Sequence, residues 1–193
     1  MRYPPEQKAR TRAGIVDVAA REFRLKGYDG IGVDGLAAGA ELTAGALYKH
    51  FGSKEALFRE VVEAGVARLK TGIARFQERQ PADWFPALAT WYMGSKHRAD
   101  VSGGCAMPSL SPEVVKADEA TKQVYEAGLL EAMAQLTSKA PFDDPVHGRE
   151  RAWAALALFA GGVTLSRAVA SPALAKEIAA AVNLVATENL GRP

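Results

Sequence analysis

Thr43, Tyr48, Lys49, His50 and Lys54 bring hydroxyl, imidazole and ammonium groups together in one short stretch of the chain. Each can donate a hydrogen bond to a phosphate oxygen. Among them Ala44, Gly45 and Ala46 are small, so the backbone there can approach a ligand closely. Bond-making chemistry has far less to work with. His50, His97 and His147 stand well apart, with no Cys or carboxylate at ligand spacing, so neither a metal site nor any other cofactor is expected. Nucleophile-elbow, H-E-x-x-H and Walker patterns do not occur, and the chain reads as a non-enzyme. Gly30, Gly32 and Gly35 do spell G-x-G-x-x-G, with Glu55 further on. A dinucleotide fingerprint follows a strand inside a βαβ unit, whereas these glycines follow an amphipathic helix, so that reading is rejected.

The elements that must position the donors are helical, since no alternating strand pattern is found. A first helix is expected over about 6–26, with Pro5 in its first turn, Ile15, Ala19 and Phe23 at i+4 spacing, and Gly27 as a left-handed C-cap. Two short helices follow, about 33–40 and 43–50, joined by a tight turn at Ala40-Glu41-Leu42. Leu36, Leu42 and Leu47 are spaced to pack on the first helix, which leaves Thr43, Ala44, Gly45, Tyr48, Lys49 and His50 facing outward. Ser53 caps a long helix to about residue 80. Ser111-Pro112, Asp144-Pro145 and Ser171-Pro172 each read as an N-cap followed by proline at the first helical position. Helices are accordingly expected over about 83–99, 111–116, 118–139, 144–169 and 172–190, an all-α chain of about nine helices.

Charge is unevenly distributed. The 193 residues carry a formal net charge of +2. Residues 1–59 hold ten Lys and Arg against seven Asp and Glu, and the remainder hold fourteen against fifteen. A positive head on a near-neutral body suits a polyanion partner. The most apolar region, 152–170, is interrupted by Gly161, Gly162, Thr164, Ser166 and Arg167, and reads as a buried helix rather than a membrane span. The polar N-terminus lacks the apolar core of a signal peptide, and the single cysteine cannot form an internal disulfide, so a cytoplasmic protein without membrane contact is expected.

Phe23, Gly27, Tyr28, Leu47, Tyr48, His50, Phe51, Ser53, Lys54, Glu55 and Leu57 stand in an order and spacing that resembles the TetR/AcrR family of transcriptional regulators. The resemblance implies a helix-turn-helix DNA-binding domain over 1–52 and a helical ligand-binding and dimerisation domain over 53–193. It also implies a homodimer on double-stranded, palindromic operator DNA, most simply a repressor released by a small-molecule effector. By position, Thr43, Tyr48, His50 and Lys54 resemble the family's phosphate binders, and Ala44, Gly45 and Lys49 its groove-facing residues. Three features depart from the pattern. Glu41 replaces the usual turn glycine, Gly32 replaces a hydroxyl cap, and Gly35 lies inside the second helix, where glycine costs up to about 1 kcal/mol relative to alanine.

Residues 60–193 hold most of the large side chains from which an effector pocket could be built. Phe76, Trp84, Trp91, Tyr92, Cys105, Met107, Tyr125 and Met133 are the candidates, and this inventory suits an apolar or aromatic effector. Cys105, after two glycines and near a helix start, admits a second reading in which a thiol of lowered pKa senses electrophiles or oxidants. A third reading is a helical small-molecule-binding protein whose DNA head has decayed. The last two helices carry more apolar surface than one chain can bury. Trp153, Leu156, Phe159, Leu165, Ile178, Val182 and Val185 are the candidate dimer contacts, which the resemblance places in a four-helix bundle.

Overall fold

A computed structural model describes residues 5–190. They form ten α-helices: α1 Pro5–Lys26, α2 Val33–Gly39, α3 Ala44–Phe51, α4 Lys54–Arg79, α5 Trp84–Tyr92, α6 Ser95–Ala99, α7 Ala106–Lys116, α8 Glu119–Thr137, α9 Gly148–Ala168 and α10 Pro172–Val185. One π-helical turn, Ala186–Leu190, continues α10. The all-α class is the one observed, with no strand among the described residues. None of these helices is long and apolar enough to cross a membrane.

Two apolar clusters organise the chain. Ile15, Ala19 and Phe23 of α1 pack with Leu36, Leu47, Phe51, Leu57, Phe58, Val61 and Val62, joined by Leu110 and Val114 of α7. The second cluster gathers α5, α8 and α9 around Trp84, Phe85, Met133, Phe142 and Phe159, together with Ile73. Helix α4 contributes to both, and its longest packing interface is with α8. The first cluster runs from α1, α2 and α3 across the junction between α3 and α4 into α4 and α7.

Local signals are obeyed where nothing competes with them. Gly27 terminates α1 at φ 75° and Ser171 caps α10 with Pro172 at its first position. At Ser111-Pro112 the same dipeptide lies instead in the middle of α7, which starts five residues earlier at Ala106. The Ser111 hydroxyl turns back to the Met107 carbonyl at 2.6 Å and meets Tyr125 Oη at 2.5 Å. That tie to α8, with Leu110 and Val114 buried beside it, offsets the hydrogen bond that proline cannot donate. Asp144 accepts from Val146 N at 2.8 Å, closing a turn, and α9 begins only at Gly148. The helix expected over about 83–99 is two, broken at Met93-Gly94 where Gly94 is extended.

Glycines show where helix packing overrides propensity. At Gly128 of α8 an added methyl would collide with Val66 of α4, whereas at Gly14 of α1 it would meet nothing. Val66 is β-branched and stiff in a helix, so the clash outweighs the gain of about 1 kcal/mol in helix propensity. Gly128→Ala should therefore lower stability by about 1–3 kcal/mol, as overpacking does. Gly14→Ala should raise it by up to about 1 kcal/mol. Urea unfolding of the two variants checks both signs.

Candidate nucleic-acid interface

Helices α2 and α3 are joined by a turn whose hydrogen bonds define a Schellman motif. Leu42 N donates to Ala37 O at 2.8 Å and Glu41 N to Ala38 O at 3.0 Å. Such a turn needs a left-handed residue after the helix, and Glu41 supplies it at φ 57°. A side chain there costs about 1 kcal/mol relative to glycine, and the turn accepts that cost without reshaping through Gly39. The other departure also persists, because Gly32 precedes α2 with no side-chain cap.

Thr43 opens α3 by accepting from Ala46 N at 3.2 Å. Its hydroxyl proton is left free for an acceptor outside the protein. Leu47 and Phe51 are the buried residues of α3, so Thr43, Gly45, Tyr48 and Lys49 face solvent, with Ala44 half-exposed. Tyr48 is 48% exposed. His50 is half-buried. Lys54, at the first turn of α4, holds its ammonium 4.1 Å from the Tyr28 ring centroid, a cation–π contact that orients it.

The N-terminus of α4 is organised by three side chains around this lysine. Ser53 accepts from Ala56 N at 3.1 Å, and Tyr28 Oη donates to Glu55 at 3.1 Å. Burial and the Glu55 carboxylate push the Tyr28 phenol up to about 12. Backbone and Ser53 hydrogen bonds, with Tyr28, hold Glu55 below the usual carboxylate range. Sequence reasoning placed Tyr28 in a motif without this role. It also passed over Arg12, which reaches from α1 to the last turn of α3, because a lone arginine on a helix face gives no spacing signal.

These features coincide with the part of the chain that known proteins share. Residues 15–61 match the sequence profile of the bacterial regulatory proteins of the tetR family. The HTH-type transcriptional regulator AcrR of Shigella flexneri is 32% identical over 82 residues, which span 42% of this chain and 38% of that protein.

Over residues 15–61 this chain carries the N-terminal domain of the tetR family.

Solved structures extend the likeness of the fold to nearly the whole chain. The reduced form of NemR from E. coli superposes with a TM-score of 0.77 at 18% identity, covering 95% of this chain and 99% of that one. A TetR transcriptional regulator from Chloroflexus aurantiacus J-10-FL gives 0.76 at 19% identity, covering 95% and 97%.

In the body of the chain, the candidate pocket residues do not form one wall. Trp84, Tyr92, Met107 and Met133 are buried together, with Phe76 and Cys105 against them, while Tyr125 packs on the first cluster. Trp84 Nε1 donates to Ala140 O at 2.6 Å. Trp91 is 53% exposed. A cavity of about 260 Å3 opens elsewhere, between head and body, with Tyr28, Glu55, Phe58, Glu113, Asp118 and Thr121 in its lining. Of the candidate dimer contacts, Leu156 and Phe159 turn into the chain's own core, and Ile178 and Val182 are half-buried. Trp153, Leu165 and Val185 remain exposed.

Cys105 is the N-cap of α7. Its backbone N–H donates to His97 Nε2 at 3.3 Å, which assigns the ring proton to Nδ1, donating to Tyr92 O at 2.7 Å. Burial pushes the thiol above its ordinary range, against the opposing pull of the Tyr92 hydroxyl, the Met107 N–H, Arg24 and Arg167. The helix-start effect expected from the sequence is thus outweighed by desolvation. Cys105 should react slowly with a disulfide reagent at pH 8 in the folded protein and rapidly in guanidinium. Equal rates would contradict the raised thiol pKa.

Proposed function

We propose that the chain is a ligand-responsive transcriptional repressor. It binds near-palindromic operator DNA as a homodimer and is released by a small apolar or aromatic effector. The observation that carries this reading is the exposed face of α3, where Thr43, Gly45, Tyr48 and Lys49 stand free beside the N-terminus of α4. Backbone N–H groups at two helix starts and these side chains suit adjacent phosphates in a major groove. Thr43, Tyr48, His50 and Lys54 would grip phosphate, while Ala44, Gly45 and Lys49 face the bases.

Residues 1–52 would act as the DNA-binding domain and 53–193 as the ligand-binding and dimerisation domain. Ala154, Ala157, Gly161 and Thr164 make an exposed stripe of small residues at helical spacing on α9, flanked by Trp153 and Leu165. That surface favours close approach of a second copy, with α10 supplying Leu174, Leu184 and Val185. Effector uptake among α5, α7 and α8 would shift α4 and so change the separation of the two recognition helices. Cys105 is half-buried against the second cluster and desolvation raises its thiol pKa, which favours an effector that binds over one that reacts with the thiol.

Binding of fluorescent duplexes selected from a random-sequence pool tests the reading. Affinity should fall with salt on a log–log slope of about −0.9 per phosphate contacted. Tyr48→Phe should weaken all selected duplexes alike, by about tenfold, as expected for one hydrogen bond to a charged group. No selected duplex would favour a decayed head, and a changed base preference in Tyr48→Phe would contradict its phosphate role.

A further inference from the structure

Arg12 stands outside every motif so far described. Its Nε donates to Glu60 Oε2 at 2.9 Å, and a terminal nitrogen donates to Glu60 Oε1, so the guanidinium grips that carboxylate side-on. The other terminal nitrogen donates to the His50 carbonyl. The guanidinium carbon lies 4.3 Å from the Phe51 ring centroid. One planar cation therefore joins three helices: α1 supplies it, α4 orients it, and the last turn of α3 receives it.

Helix α3 needs such a partner. It has eight residues, too few to hold its shape alone. Its last carbonyls have no partner inside the helix. Gly52 N–H takes Tyr48 O, and the His50 carbonyl falls to Arg12. The cation also faces the negative end of the α3 dipole. With Thr43 fixing the opposite end and Leu47 and Phe51 the only buried side chains between, these anchors set the angle of the helix. Lysine cannot replace the arrangement, because the Glu60 grip and the carbonyl bond use different nitrogens of one rigid fork.

We propose that Arg12 is a positioning residue for DNA binding. Through Glu60 it holds the recognition helix α3 at a fixed angle to α4, and it does so without contacting phosphate. The inference rests on the DNA-binding reading above. Its consequence is that movement of α4 reaches the C-terminal end of α3 through this side chain as well as through the apolar cluster that the two helices share.

Arg12→Ala, Arg12→Lys and Glu60→Gln, each first matched to wild type by melting temperature, are compared for binding to the duplex that wild type selects. Arg12→Ala should bind about tenfold more weakly, the loss expected for one charge-assisted hydrogen bond. Its salt slope should be unchanged, because no phosphate contact is lost. Arg12→Lys should be nearly as weak despite keeping the charge. Glu60→Gln should also weaken binding, although removing a negative charge near DNA would strengthen it if only long-range electrostatics mattered. Recovery by lysine, a slope reduced by about 0.9, or tighter binding by Glu60→Gln would overturn the proposal. Amide exchange keeps the clamp testable even if wild type selects no duplex, a result that would overturn the DNA-binding reading instead. Exchange at residues 47–51 should quicken in Arg12→Ala while α8 is unaffected, and unchanged exchange there would overturn the clamp.

Discussion

One helix belongs to two cores, and the rest of the molecule depends on that. α4 runs for 26 residues, about 40 Å at 1.5 Å per residue. Leu57, Phe58, Val61 and Val62 near its start are buried with the head, and Ile73 farther along is buried with the body. Each such side chain contributes about 1.5–3 kcal/mol by leaving water. Separating the head from the helix would therefore cost more than a typical allosteric coupling of about 1–3 kcal/mol supplies. The head must move with α4 rather than about it. The α1–α7 contact adds a second tie, with Arg24 reaching Ser102 O at 3.2 Å in the loop before α7.

The same constraint explains how weak local elements become a defined surface. α2 has seven residues and no side-chain cap, and α3 has eight. Neither would persist in isolation. They are held by Leu36 and Leu47 packing on α1, by the Schellman turn at Glu41, and by capping groups at the ends of α3. The exposed face that results owes little to intrinsic helix propensity. It owes most to the packing that points Leu47 and Phe51 inward and thereby turns Tyr48 and Lys49 outward.

The head was largely legible in the sequence, because its motif residues do their work locally. Gly27 at the end of α1, Thr43 and Ser53 as caps, and Glu41 in the left-handed turn can all be read from a few neighbouring residues. The body was less so, as its outcome depends on distant partners. Ser111-Pro112 and Ser171-Pro172 share a local signal, yet Tyr125 and the buried face of α7 turn the first into a helix interior. Cys105 likewise admits a second reading as an activated thiol from its place beside a helix start, and only the surrounding groups show that desolvation opposes it. Side chains such as Trp84 and Met133 show the general limit. Composition marks them as large and apolar, and only packing shows that they share one buried cluster.

The central claim is that two heads, each held rigidly on its own α4, address one duplex together. Hydroxyl-radical footprinting of the full chain on a selected duplex tests it most directly. The account predicts two protected patches related by a two-fold axis, with centres separated by about one helical turn, 10–10.5 base pairs, or a whole multiple of it. A single unpaired patch, or two patches whose spacing varies from one duplex to another, would contradict it.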